Sequence, residues 1–445
     1  MKYRIVLFII VLVLFASNTG CSNNNRGEIA SLLTDERGNT YAVWRMVRSV
    51  GDHDVHLTKI NSSGEVLWDK SLFIGDDKRV NILGLAGNNK GGVFVSWEVL
   101  IPEEGKEGRH YFDRSMLVNV DEQGVITMNR DFSLQGMQMQ ADGCGGLLLG
   151  WNTREYSVVE RVDDHGVTLW KYQTEDSAVY QQFIAGNDGE SFILTQKSDE
   201  SYMEIQKINS DGQVVWGNHE NITGIRINGI DANMNPIMVS DNLGGLIVCW
   251  LSPLTDGNGS NIRTYRVNAY GENLYDNTVG ELVMPPSEKI RAISDGAGGS
   301  FIVWEDHRSG MALYAQKVNG EGKPLWQNNG VAVCTGLPAY SPRFNAISDS
   351  ANGIIVIWRD GNSRIGAQRL DAFGQSQWGD MGIQIGENAC DVPILVSGDE
   401  QGRITIGWAT GNNEYSPQKS YVQMLNSAGD LLWGNSGIKL SVVNG

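Results

Sequence analysis

The sequence predicts an all-β fold: one eight-bladed β-propeller of four-stranded antiparallel blades. Three observations predict it. The stretch "NGEGKPLW" at 319–326 returns as "NSSGEVLW", "NSDGQVVW" and "NSAGDLLW" at 61, 209 and 426. A second stretch, "DGAGGSFIVW" at 295–304, has counterparts ahead of the first in each unit. Thirteen of thirteen tryptophans fall in slots that these two stretches define or their equivalents, so the recurrence is a repeat rather than scattered likeness.

The chain opens with "MKYR", the apolar run Ile5–Ala16 and then "SNTGC", the layout of an export signal over residues 1–20. That run is too short for an ordinary spanning helix. Thr19, Gly20 and Cys21 resemble the end of a bacterial lipobox, with Asn18 where an aliphatic residue is usual. Cys21 is the expected lipidation site, and residues 21–27 form a polar tether. The expected location is outside the cytoplasm, on the cell membrane or outer membrane, with the lipid anchor as the one membrane contact.

Each unit then carries two hairpins. The first turn begins at Asp35, Asn88, Asp142, Asn187, Asp241, Asp295, Asp349 and Asp399. Nine residues later stand Trp44, Trp97, Trp151, Gln196, Trp250, Trp304, Trp358 and Trp408. The second turn begins at Asn61, Asp121, Asp163, Asn209, Asn268, Asn319, Asp371 and Asn426, with a glycine three residues on. Four past that glycine come Trp68, Met128, Trp170, Trp216, Tyr275, Trp326, Trp378 and Trp433. Asn or Asp at the first position of a type I turn bonds the backbone two residues on, and glycine at the fourth accepts a left-handed conformation. The flanking runs, such as "FIVW" and "IIVIW", are short and β-rich, and no segment sustains a 3.6-residue period.

Every unit therefore supplies four strands, a to d, and the units begin near residues 28, 79, 135, 177, 228, 285, 337 and 388. Successive reference glycines lie 42 to 60 residues apart, near the length of a propeller blade. A unit apolar on both faces cannot bury them alone, so neighbours stack, and closure into a ring leaves no bare edge to the stack. Residues 28–445 are expected to be this single ring. The working face is expected to carry the b–c and d–a connections. From the first tryptophan slot to the second-turn glycine the spacing runs 20, 27, 15, 16, 21, 18, 16 and 21 residues, while the turns hardly vary.

With its Gly-x-x-x-Trp hairpin, the unit resembles the tryptophan-docking repeat of quinoprotein-like propellers, which are commonly eight-bladed. The first hairpin, with its Gly-Gly and tryptophan, looks more like a repeat of uncharacterised secreted bacterial propeller lipoproteins. By architecture alone, the chain also resembles the propeller subunit of the outer-membrane barrel-assembly machinery. The resemblance implies fold and not cofactor, because quinone-dependent members use a vicinal cysteine pair and this chain has no adjacent cysteines. No cofactor is expected.

Thirty-five basic and 52 acidic residues give a net charge of −17, and loss of Lys2 and Arg4 with the leader takes it to −19. Such a chain repels phosphate backbones, which excludes nucleic acid as a partner. Cys144, Cys249, Cys334 and Cys390 show no C-x-x-C spacing, and no disulfide is assigned among them. His53 and His56 are three apart on a strand and so face opposite sides, and the stretch 256–261 starts like a calcium loop but has Val267 at its twelfth position. No metal site is expected, nor any catalytic residue. "WEDHRSG" offers Asp306 and Arg308 beside Glu305 and His307, and "WRDGNSR" offers Arg359 and Asp360 with Arg364. Their recurrence reads as loop-anchoring ion pairs, with contact to a ligand as the functional alternative. The longest b–c insertion, Glu98–Met116, reads as a loop that offers Arg109, His110, Tyr111 and Phe112 for contact. The favoured function is binding or scaffolding in the cell envelope, with a protein or glycan partner there or outside the cell. The alternative is an extracytoplasmic enzyme acting on glycans at the channel mouth.

Overall fold

The computed structural model describes residues 26–441 apart from 50, 104–108, 154, 175–179, 197–201, 217–223, 231–233, 235, 255–258, 284–289, 309, 338–342, 391–393 and 412–416. The second hairpin forms as its residues dictate. Asn61 Oδ1 accepts the N–H groups of Ser63 and Glu65 at 3.1 and 2.9 Å, and Gly64 donates its N–H to the Asn61 carbonyl at 2.9 Å. Gly64 has φ of 88°, which a residue with a Cβ adopts only under strain. Asp295 closes the first hairpin in the same manner, its Oδ1 accepting from Ala297 and Gly299 at 2.8 Å each.

The described strands assemble into eight four-stranded antiparallel sheets, each built from one continuous segment. Strand a is innermost in every sheet: Arg26–Thr34, Arg79–Gly87, Gln138–Ala141, Tyr180–Ala185, Ile237–Ser240, Ile290–Ser294, Arg343–Ser348 and Leu395–Gly398. The innermost strands of blades 1 to 4 start within a few residues of the expected unit starts, and those of blades 5 to 8 start five to nine residues later. The largest difference is at residue 228, which ends strand d of blade 4 (Ile225–Asn228), blade 5 starting at Ile237.

The apolar core lies between blades, with a separate cluster at each interface. Tyr41, Val43 and Leu57 of blade 1, for instance, pack on Val80, Val95 and Trp97 of blade 2. The second-hairpin tryptophan of one blade lies on the turn glycine of the next: a Cβ on Gly212 would stand 2.4 Å from the Trp170 side chain. Trp68, Trp216, Trp326 and Trp433 also donate their indole N–H to a carbonyl of that neighbouring turn, at 3.0–3.2 Å. A recurrent tryptophan is thus an inter-blade packing element.

A second column does the same with charge. Five residues before the turn glycine stand Lys59, Arg161, Lys207, Arg266, Lys317 and Arg369. Lys59, Arg161, Lys207, Lys317 and Arg369 each donate to a turn carbonyl of the following blade at 3.0–3.1 Å. Arg161 and Arg369 are held from behind by the first-turn aspartates of their own blades, Asp142 and Asp349, at 2.8 Å. At Arg161, Arg266 and Arg369, cation, first-turn aspartate and neighbouring carbonyl form a staple across the interface, and a charge so paired and hydrogen-bonded can be buried.

Blades 8 and 1 meet without exchanging a strand. Their seam holds Ile29, Leu32 and Trp44 against Val422, Met424 and Trp433. Backbone N–H groups of Ile29 and Thr34 donate to Ser420 Oγ and Ser397 Oγ at 2.7 Å each. A Cβ on Gly27 would lie 4.0 Å from the Leu440 carbonyl oxygen, so the two ends of the ring adjoin. Cys249, Cys334 and Cys390 are buried and outside any disulfide, their thiols pushed up by burial to about 12, 12 and 11, and Cys144, also outside any disulfide, is exposed on a first-hairpin turn.

Candidate functional site

The antiparallel order a to d puts the a–b and c–d turns on one face of the ring and the b–c and d–a connections on the other. The turn face is regular, its turns closed by their own Asn or Asp side chains except at Asn187, where a short 3-10 turn is closed by backbone bonds. There Asp163, Asp164 and His165 lie close together. Asp163 Oδ1 already accepts the N–H groups of His165 and Val167, and the hydrogen bond from Lys90 draws Asp164 below the usual carboxylate range. The length variation sits on the other face.

The blade 2 insertion, expected as a loop, is a raised ribbon instead. Strands b (Val93–Pro102) and c (His110–Val120) continue their pairing outward, with Leu100 opposite Phe112, Ile101 opposite Tyr111 and Pro102 opposite His110. The register shifts between Val99, opposite Arg114, and Leu100, and residues 104–108 lie outside the described residues. Arg109 and Tyr111 are exposed, whereas His110 and Phe112 are half-buried.

Asp306, Arg308, Arg359 and Asp360 lie on the same face but are engaged. Asp306 accepts from the Trp304 indole at 3.1 Å and from Arg308 N and Nε at 2.8 and 2.9 Å. Arg308 reaches on to the Asn329 carbonyl at 2.8 Å. Arg359 Nε donates to the Ala389 carbonyl at 2.9 Å, and Asp360 receives the N–H of Asn362 at 2.9 Å and Arg364 Nε at 2.8 Å. These groups hold loops in place. Glu305 is bonded to His307 at 3.0 Å, and Glu98 to the N–H of Gly136 at 2.7 Å. Each carboxylate so held is committed to structure rather than offered to a reacting group.

Two pairs of arginines that the sequence left scattered stand near the loop-bearing ends of the inner strands, Arg45 with Arg79 on blades 1 and 2, and Arg291 with Arg343 on blades 6 and 7. Arg45 donates to the Val80 carbonyl at 3.0 Å and pairs with Glu28. Arg79 and Arg343 open their innermost strands, and Arg291 is the second residue of its own. Deeper in the channel a cavity of about 90 Å³ is lined by residues including Leu32, Leu85, Met139 and Gly398. That is room for a few waters, well short of the roughly 300 Å³ of a ligand pocket.

His53 sits beside Arg45 and Arg79. Its Nδ1 accepts the Val80 N–H at 3.3 Å, and burial followed by the charges of Arg45 and Arg79 pushes the imidazole down to about 3. His56 turns the other way, 3.1 Å from Asp69 and stacked on Trp44, so the two rings share no site. The folded state refuses a proton at His53 that the unfolded chain binds near pH 6.5. The stability contributed by a neutral His53 is therefore fully present above pH 6.5 and is lost by about 1.4 kcal/mol per pH unit from there towards pH 3. Denaturant melts at several pH values should give the His53→Gln variant a shallower slope by that amount, and equal slopes would remove the buried histidine from the account.

Fold and faces define the class, a closed eight-bladed β-propeller. No helix among the described residues is long and apolar enough to cross a membrane. No protein-family model matches the chain, and no curated protein matches it in sequence. Among solved structures, a protein of unknown function from Bacteroides caccae is similar at 15% identity over 62% of this chain and 89% of its own, with a TM-score of 0.30. The β-propeller domain of the trilobed protease from Pyrococcus furiosus is similar at 10% identity over 79% of this chain and 97% of its own, TM-score 0.44. Porphyromonas gingivalis dipeptidyl peptidase 4 is similar at 12% identity over 90% of this chain and 58% of its own, TM-score 0.46. None of these likenesses assigns an activity to this chain.

Proposed function

We propose that the protein is an exported, lipid-anchored propeller that binds or scaffolds a protein or glycan partner in the cell envelope, through the face carrying the b–c and d–a connections. The observation behind this reading is the blade 2 ribbon, which holds Tyr111, 51% exposed, beside exposed Arg109 on a paired backbone. An aromatic and an arginine on a rigid support are the residue types that dominate interfaces, and little ordering entropy is lost on docking. The carboxylates nearby are held by their own loops, which favours recognition over catalysis.

The anchor fits the same face. The chain enters blade 1 there at Arg26, five residues after Cys21, a reach of at most about 18 Å. An acylated Cys21 keeps this face towards the lipid, so the partner belongs to the envelope surface. Capture from native membranes should lose the partner by about 10-fold or more in the Arg109→Ala, Tyr111→Ala double variant, with the melting temperature unchanged. Undiminished capture would remove the ribbon from the site. Mass spectrometry of the mature N-terminus, beside a Cys21→Ser variant, decides the anchor, and an unmodified N-terminus would refute it.

A further inference from the structure

Blade 5 departs from the other blades at the tips of its turns. At the third position of the two turns, blade 1 carries Arg37 and Ser63 and blade 6 carries Ala297 and Glu321, whereas blade 5 carries Leu243 and Tyr270, 59% and 86% exposed. Blade 7 shares the aromatic, as Phe373, but has Ala351 at its first turn. The two tips of blade 5 adjoin, since a Cβ on Gly244, next to Leu243, would stand 3.1 Å from the methyl of Ala269, next to Tyr270. Towards blade 6, Leu243 Cδ1 lies 3.0 Å from where a Cβ on Gly298 would stand, beside exposed Ala297. Towards blade 4, the Trp216 indole donates to the Ala269 carbonyl at 3.2 Å. Leu243, Ala269, Tyr270 and Ala297 thus make a continuous apolar strip on the turn face, on ground that Gly244 and Gly298 keep flat.

The repeat does not require these side chains, because a turn tip points to solvent and the same turn closes with a serine or an alanine there. Their support is rigid. Asp241 Oδ1 accepts the Leu243 N–H at 2.8 Å, its Oδ2 holds Arg266, and Arg266 reaches the Gly320 carbonyl of blade 6. A tyrosine presented on a fixed backbone loses little ordering entropy on docking and is a residue type that anchors interfaces. The rim is acidic: the second turns of blades 4, 5 and 6 expose Asp211, Glu272 and Glu321, against Lys323. In a chain of net charge −17 such a rim repels a second copy of the same face, and it repels anionic lipid and phosphate backbones. Charge complementarity selects a cationic partner, and the strip selects one that carries an apolar side chain among its bases.

We propose that this strip docks a basic segment of a partner protein, its lysines or arginines on the acidic rim and an apolar side chain against Leu243 and Tyr270. The site lies on the opposite face from the blade 2 ribbon and does not depend on it. Titration of the full chain into a labelled peptide of leucines flanked by lysines, followed by fluorescence anisotropy, should give saturable binding that weakens with salt. Leu243→Ser with Tyr270→Ser should weaken it about 10-fold. Serine already serves at this position in blade 1, as Ser63, so the melting temperature should hold. Glu272→Gln with Glu321→Gln should weaken binding at low salt and flatten its salt dependence. Phe373→Ser on blade 7 and the Arg109→Ala, Tyr111→Ala variant should bind the peptide as the parent does, so failure of the strip and failure of the ribbon are told apart. Absence of saturable binding, equal binding after the double serine change, or the same loss from Phe373→Ser overturns the site. Self-association of the full chain, or flotation with phosphatidylglycerol vesicles, that the double serine change abolishes would give the strip to a second copy or to a lipid surface and overturn it as well.

Discussion

Ending the chain after Cys390 abolishes cooperative unfolding rather than shortening the ring by one blade. The deletion uncovers Ile29, Leu32, Trp44 and Ile60 on blade 1, and Ile347, Ile355, Ile357, Ile365 and Ile385 on blade 7. At about 1.5–3 kcal/mol for each large apolar side chain returned to water, even partial exposure costs on the order of 10–20 kcal/mol. Whole domains are stable by about 5–15 kcal/mol, so the remaining seven blades have nothing left to hold them. Calorimetry of the truncated chain should show no sharp transition. A melt like that of the parent would mean that the blades behave as an additive array and that closure contributes little.

Asp241→Ala is the single substitution with the largest expected loss, about 3–5 kcal/mol in denaturant melts. Asp241 is fully buried, and its Oδ2 receives Arg266 Nε and NH2 at 3.1 and 2.9 Å. Oδ1 closes the turn through the N–H groups of Leu243 and Gly245 at 2.8 Å. Arg266 continues to the Gly320 carbonyl of blade 6, so removal of the carboxylate strands a buried cation that also spans an interface. Adding Arg266→Met should restore most of the loss, since replacing a buried pair with apolar groups is far milder than breaking it. Arg37 and Glu122 form an exposed pair on the same face, and there Arg37→Ala should cost less than about 1 kcal/mol. A loss that small at Asp241 would show that the staple does not join the blades energetically.

The ring was legible because its signals are local. A turn needs Asn or Asp and glycine at fixed offsets, and a tryptophan that packs on the next glycine needs a fixed place after it. The cation column was equally regular in "KIN", "RVD", "RVN", "KVN" and "RLD", yet its meaning was hidden. A lysine or arginine in a strand reads as a solvated side chain until the neighbouring blade supplies the carbonyl it reaches. The Glu98–Met116 ribbon was read as a loop because its residues are polar, and cross-strand pairing outside the core leaves little hydrophobic alternation.

Each blade is one continuous segment, and Gly27 adjoins Leu440 where the last blade meets the first. The molecule therefore has no topological beginning. A circular permutant, opened between any two blades and joined across Gly27 and Leu440, traces the same ring with the same interfaces. Tandem copying of a gene segment can likewise insert or remove a whole wedge without rethreading any sheet, whereas a ring locked by a shared strand must keep the position of its ends.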